Sequence, residues 1–450
     1  MPSENAASVQ HHDKLGLYDV LSRVSQAPRW TTYGKVSAVV GNLIEVVGLE
    51  ATVGDICRIF PKDNAEPVVA ETVGFVGRRL KLSPLSPLRN LAPGDRVALD
   101  ARSSSCLVSF QLLGRVIDGM AQPLDGAGPI VDGVPYLLRP STPNPLSRPI
   151  ISQQLDVGIR AINALLPIGK GQRMGIFAGS GVGKSTLLGM MARYTSAPVN
   201  VIALIGERGR EVNEFLDSEL GEEGRRRSVV VVATSDQPAT LRVRAAYVAC
   251  AVAEFFRDQG MDVLLMMDSV TRFAMAAREI GLAAGEPPAT KGYPPSVFGL
   301  LPQLLERAGS FDTASITGIY TVLVEGDDLD DPIADTVRSI LDGHIVLDRD
   351  LAHRRHYPAI DPLKSVSRLT DRILNPEIKN LARRFIEILA DYKRSEDMIQ
   401  IGAYVRGSHP PTDYAIQMID KLNDFLKQPV EERCTIEEAH QTLQALFEPQ

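Results

Sequence analysis

Apolar and polar positions change their rhythm several times along the chain, and each change marks a different kind of element. Near the start, Leu17, Val20, Leu21 and Val24 fall at i, i+3, i+4 and i+7, which predicts a short amphipathic helix over residues 13–25. Such a helix docks on its own chain or on a partner, so residues 1–30 are a candidate partner-binding segment. From Tyr33 to about Asp100 short β-branched runs take over, with KVSAVV, LIEVVGL, ICRIF, PVVAETVGFV and RVALDA separated by Gly, Pro and Asn turns. That pattern predicts a small all-β barrel or sandwich at 31–100. The proline-rich RPSTPNPLSRP at 139–149 reads as a linker or wrapping segment.

From about Gly171 strands and helices alternate. GIFAG (175–179), VNVIALIG (199–206), SVVVVAT (228–234), MDVLLMMD (261–268) and SITGIYTVLVE (315–325) are short apolar runs rich in Val, Ile and Leu. Buried parallel strands have this composition, and helical stretches between them predict a layered α/β sheet within 101–370. Beyond residue 371 the pattern is helical, in IKNLARRFIEILADYKR, DYAIQMIDKLNDFLKQ and TIEEAHQTLQALF, which predicts a small helical domain at 371–450.

Composition narrows the classes. A chain of 450 residues suggests two to four domains, and 44% hydrophobic with 23% charged residues is the balance of a soluble globular protein. The net charge of −7 gives no global attraction to nucleic acid. Arg225-Arg226-Arg227 is the one tight basic cluster, and a solvated helix end accounts for it. Cys57, Cys106, Cys250 and Cys434 are far apart and form no CxxC pair, so they read as reduced thiols. No apolar run approaches the roughly 18 residues that span a bilayer, and the polar MPSENAASVQHHDK lacks the core of a signal peptide. The expected location is cytoplasmic, with any membrane association made through partners.

Candidate chemistry begins at Ala178-Gly179-Ser180-Gly181-Val182-Gly183-Lys184-Ser185-Thr186, which follows the run GIFA and precedes TLLGMMARY. A strand, a glycine-rich turn and a helix in this order form a phosphate loop, whose backbone N–H groups converge on phosphate oxygens. Lys184 would reach the β- and γ-phosphates and Ser185 would offer a hydroxyl to Mg²⁺. Ala178 stands where the usual pattern has its first glycine. Asp268 ends the apolar run 263–267, at the end of a strand where α/β sheets bind ligands, and would help hold the Mg²⁺ shell. Glu207 and Arg208 follow the strand VIALI directly. A carboxylate there could orient or deprotonate an attacking water and an arginine could bear on the γ-phosphate, although on spacing alone an exposed charged turn is the slightly better explanation.

The conjunction of AGSGVGKST, GERGREV, LLMMDSVTRF, GEPPATKGYPPSVF (285–298), DPIADTVRSILDGHIVL (331–347) and HYPAIDPLKSVSRL (356–369) resembles the catalytic subunits of the rotary-ATPase superfamily. Within it the chain is most similar to bacterial type III export ATPases, the flagellar branch first and the injectisome branch close behind. The resemblance runs from about residue 30 onward. It implies ATP and Mg²⁺ as ligands, Glu207 as the catalytic carboxylate and Arg208 as a phosphate-contacting neighbour. It further implies that Arg368 is an arginine finger offered to the next subunit and that Tyr357 lies on the adenine. A homohexameric ring follows from the resemblance, as do a regulator, a stalk protein, chaperone–cargo complexes and a membrane export gate as partners, with no nucleic acid. The site would sit peripherally at the inner membrane.

Two departures separate the chain from rotary synthases. The helical region reads IGAYVRGSHPPTDYAIQ at 401–417, where synthase catalytic subunits carry the acidic DELSEED run that bears on their shaft. The long insertion of vacuolar-type catalytic subunits, between barrel and phosphate loop, is missing too. A third class, an RNA-translocating hexamer, would need basic and aromatic residues in the N-terminal strands, where PKDNAEP and LEATVGD are acidic or neutral.

Overall fold

A computed structural model describes residues 32–448, apart from 64–65, 89, 101–103, 142–143 and 325–330. The expected helix at 13–25 and the segment 1–30 lie outside the described residues.

Six strands close an antiparallel barrel: Tyr33–Val40, Leu43–Val47, Ile56–Phe60, Val68–Val76, Arg79–Pro84 and Arg96–Leu99. Closure removes the open edges that a sheet of this size would otherwise expose. Every second side chain turns inward, and Val36, Ile44, Val46, Ile59, Leu82 and Val97 fill the interior. Two bulges, between Val36 and Ala38 and between Thr72 and Gly74, bend the strands into the barrel. The strand Arg79–Pro84 was absent from the five runs expected. Its sequence RLKLSP alternates correctly, but leucine and basic residues carry no β-branched signal.

The central sheet runs in the order Val366–Ser367, Gly343–Leu347, Arg173–Ala178, Ser315–Leu323, Val263–Asp268, Val199–Ile205, Ser228–Ala233, Val116–Asp118. These neighbours are parallel except Val366–Ser367, which pairs antiparallel with Gly343–Leu347, and a ninth short strand, Gly309–Ser310, pairs antiparallel with Ser315–Leu323. The five expected strands form its middle; of the four that pattern alone missed, three lie toward its edges and Gly309–Ser310 pairs with the start of Ser315–Leu323. Alternate residues of one strand serve two cores. Val199, Val201, Ala203 and Ile205 face the alanine-rich helix Ala239–Asp258. Ile202 and Leu204 face the opposite side, where Leu187 and Met191 continue into Phe385, Leu422 and Leu443. The C-terminal helices Pro376–Gln400, Pro410–Leu426 and Ile436–Phe447 thus share one apolar core with the sheet. In the proline-rich stretch Arg148 donates to the carbonyls of Ala308 and Glu306 and lies over the Phe311 ring, so this part wraps the sheet domain. Among the described residues no helix is long and apolar enough to cross a membrane.

Candidate active site

The strand Arg173–Ala178 is almost wholly buried and delivers the chain to a tight loop at the C-terminal end of the sheet. Ala178 is fully buried and its carbonyl accepts from Val324 N, so the methyl packs in the core and the turn begins one residue later. Gly181 and Gly183 have φ of 77° and 85°, a backbone conformation that a side chain strains. At Gly183 the ring of Tyr357 stands only 3.4 Å from where a Cβ would lie. Val182 is buried and pins the loop, and the helix Lys184–Tyr194 starts immediately after it.

Around this loop lies a cleft of about 690 Å³ lined by Gly179, Ser180, Gly181, Gly183, Lys184, Ser185, Thr186, Glu207, Arg208, Arg272 and Tyr357, with Leu187, Met190, Pro358, Gln428 and Val430 at one end. The structure therefore brings most of the expected residues to one place. Ser185 is exposed in the cleft. Thr186 instead donates to the Glu219 carboxylate at 2.9 Å, which braces the helix start against the segment Phe215–Leu220.

Three charged side chains meet beneath the loop. Lys184 Nζ lies 2.5 Å from Asp268 Oδ1 and 3.6 Å from Glu207 Oε1. Asp268 ends its strand and Glu207 follows the adjacent strand by two residues, so parallel register places both carboxylates at the same sheet end. Burial opposes the charge on Lys184, but Asp268 and Glu207 outweigh it and hold the ammonium above its ordinary pKa. Glu207 goes the other way from a normal carboxyl. Burial and then the Asp268 charge raise it to about 7, against only a partial offset from Lys184. Its Oε1 is buried and accepts no hydrogen bond. An acceptor in that state, beside a cleft, is placed to take a proton or orient a water.

Arg208 precedes the helix Gly209–Glu214 and extends from the rim, 81% exposed, 3.6 Å from Glu211. Arg368 is elsewhere. Its N–H donates to Asp342 O, and Asp342 pairs with Arg173, at the start of the strand whose other end is Ala178. Five residues of strand, roughly 17 Å, separate those two levels. A side chain at Arg368 cannot span that distance to its own phosphate loop.

Residues that sequence reading left unassigned also face the cleft. Arg272, four residues beyond Asp268, has a buried Nε without a hydrogen-bond partner. Gly206, at φ 71°, exists because Arg272 Cβ lies 2.9 Å from where its own Cβ would be. Glu211 sits beside Glu207 and adds to the upward pressure on that carboxyl. The only sequence signal for either was proximity to a motif already singled out.

The residues fit a nucleotide carried with a divalent cation. Among the described residues no cluster of three or more His, Cys, Asp or Glu could hold a metal alone. One hydroxyl at Ser185 and one carboxylate at Asp268 are what a Mg²⁺ bound chiefly to phosphates requires.

Residues 158–367 match the ATP synthase alpha/beta family, nucleotide-binding domain, and residues 374–445 match the T3SS EscN ATPase C-terminal domain. The flagellum-specific ATP synthase of Bacillus subtilis strain 168 is 52% identical over 94% of this chain and 97% of its own. The chain belongs to the flagellar and type III secretion ATPase family. Among solved structures, the assembled ATPase EscN of the enteropathogenic E. coli type III secretion system superposes with a TM-score of 0.87 at 44% identity, covering 92% of this chain and 99% of that one. The same ATPase in complex with its central stalk EscO gives 0.85 at 43% identity over the same shares. The barrel, the nucleotide-binding sheet and the helical C-terminal region are the architecture of this ATPase family, as the sequence implied.

Proposed function

We propose that this chain is the ATP-hydrolysing motor of a flagellar protein-export apparatus, working as a homohexameric ring on the cytoplasmic side of the inner membrane. The observation that carries the reading is the divided site. Lys184 and Glu207 line one cleft and Asp268 is buried beneath it against Lys184, while Arg368 stands at the other end of the same sheet. A ring of identical subunits resolves the division, because each neighbour can present its Arg368 to the next cleft. The solved relative EscN is described as assembled and as bound to a central stalk, which supports self-association and a stalk partner here. A regulator, chaperone–cargo complexes and the export gate complete the partners of such a motor.

The chemistry is in-line attack of water on the γ-phosphate. Glu207 accepts a proton from the attacking water or fixes its orientation, while the phosphate-loop N–H groups and Lys184 hold the transferring group. Arg208 and the neighbour's Arg368 would meet the charge that spreads over its oxygens. Mg²⁺ would be held by Ser185 and by the Asp268 side of the site, and would neutralise charge on the β- and γ-phosphates.

Phosphate release by the purified chain, measured against protein concentration, tests the proposal. Specific activity is expected to rise steeply as rings assemble. Negligible activity at every concentration, with ATP still bound, would require a different partner chain, as in rotary ion-translocating ATPases. The C-terminal match over 374–445 and the lack of an acidic run at 401–417 speak against that class. An injectisome ATPase is the nearer alternative, and gene deletion scored for motility and filament assembly separates the two.

The end of the cleft that would take the base bears on substrate choice. Its walls are Tyr357, Pro358, Leu187, Met190 and Val430, and the one polar side chain is fully engaged. Gln428 Nε2 donates to Gly158 O and Glu432 O, and its Oε1 accepts from Arg160 N. Stacking on an aromatic ring tolerates any base, whereas strong discrimination needs a hydrogen-bonding reader. GTP is therefore expected to be hydrolysed with kcat/KM within about tenfold of ATP. Tyr357→Ala should raise KM for both nucleotides together, and a loss confined to ATP would contradict this account.

A further inference from the structure

The strand Ser315–Leu323 lies between the phosphate-loop strand and the Asp268 strand, with Thr321 in register with Ile176 on one side. Thr321 is completely buried, and its hydroxyl donates to Asp268 Oδ1 at 2.7 Å. Met267 O, at 3.3 Å, is the weaker alternative acceptor for the same proton. Oδ1 therefore has two holders, Thr321 Oγ1 and Lys184 Nζ, the latter at 2.5 Å.

These two holders differ in what they can do when a nucleotide enters. Lys184 sits at the start of a helix, on a long flexible stem, and its ammonium is the group that β- and γ-phosphates attract. Thr321 is on a central strand hydrogen-bonded on both sides, and no ligand competes for its hydroxyl. As Lys184 turns to phosphate, Asp268 would be left buried, charged and free to rotate unless something else fixes it. A buried carboxylate without a partner is costly, and a misaimed one holds a hydrated cation poorly.

We propose that Thr321 is a positioning residue for Asp268: it takes over Oδ1 when Lys184 leaves for the phosphates and keeps the carboxylate aimed at the Mg²⁺ side of the site. The proposal rests on the reading of Asp268 as the acidic residue of the nucleotide site. Partners that orient a metal-side ligand typically contribute about 10–100-fold in metal affinity or activity, and Thr321 is expected to act within that range.

The test compares Thr321→Val, which keeps the shape and removes the hydroxyl, with Thr321→Ser, which keeps the hydroxyl. The readout is the Kd of a fluorescent ATP analogue with Mg²⁺ and with EDTA, together with the Mg²⁺ concentration giving half-maximal hydrolysis. For Thr321→Val the Kd in EDTA should stay within about twofold of wild type, while the half-maximal Mg²⁺ concentration rises about tenfold or more. Thr321→Ser should restore most of the Mg²⁺ response. A merely structural role would move the EDTA value and the melting temperature too, and would not be rescued by serine, and that outcome overturns the proposal. An unchanged Mg²⁺ response in Thr321→Val overturns it as well. If wild type itself shows no Mg²⁺ effect on binding or hydrolysis, the underlying assignment of Asp268 fails, and the proposal falls with it. Should the valine variant not fold, Thr321→Ala carries the same comparison, again judged against serine.

Discussion

Arg368→Ala is expected to lower ATP turnover by about 10³–10⁵-fold while leaving nucleotide affinity nearly intact. Arginine fingers supplied by a neighbour act on charge that develops only in the transition state, so their loss appears in kcat and not in binding. The fold should tolerate the change. The Arg368 side chain is exposed and makes one long hydrogen bond, 3.4 Å, to Arg338 O, so the melting temperature should hardly move. Mixing distinguishes action in trans from action in cis. Arg368→Ala subunits retain Glu207, and Glu207→Gln subunits retain Arg368. In mixed rings about one boundary in four joins an intact Glu207 to an intact Arg368, and activity should reappear on mixing two nearly dead proteins. No recovery, in rings shown to be mixed, would place Arg368 outside catalysis. Wild-type turnover in the single variant would remove the finger altogether.

How far the sequence reached can be judged from particular residues. The phosphate loop, Asp268 and Glu207 were legible because phosphate chemistry needs fixed residue types at fixed spacing after buried strands. Their convergence on Lys184 is a property of strand order, which the sequence does not display. Thr321 and Arg272 were hidden for the same reason. One threonine in a nine-residue buried strand means nothing until its neighbour across the sheet proves to be the Asp268 strand. Strand Gly343–Leu347 was masked differently. GHIVL is five residues long and directly follows the helix Pro332–Ile340, so its apolar run read as part of a single motif. Arg368 as a finger came only from resemblance, and the register added the reason it fails in cis. Tyr357, proposed as the adenine contact, has its ring close over Gly183, where a side chain would crowd it. Gln428 came from a part of the chain with no motif, more than 240 residues beyond the phosphate loop in sequence but beside it in space.

Glu207→Gln should reduce turnover by about 10²–10⁴-fold, the range a positioned general base supplies. ATP should still bind, because the phosphate loop and Lys184 are untouched. Two pH experiments make the assignment specific. In wild type the Glu207 carboxyl titrates at about 7 in the free enzyme, and only its ionised form can accept a proton. The acid limb of kcat/KM, which reports free-enzyme groups, should therefore fall through about pH 7 and not near 4.5. The second experiment is stability. Burial and the Asp268 charge raise this carboxyl in the folded chain above its unfolded value of 4.5. Between those two values the folded state holds the extra proton, so this group's contribution to stability declines as pH rises and the penalty is complete above about 7. Glutamine carries no such penalty. Glu207→Gln should accordingly be more stable to unfolding than wild type at pH 8, by on the order of 2 kcal/mol after allowance for partial exposure, and the gain should vanish toward pH 5. A variant that loses activity with no pH-dependent gain in stability would mean that Glu207 is not held as a strained, buried acceptor. A variant that gains stability and keeps its turnover would mean that the strain serves something other than catalysis.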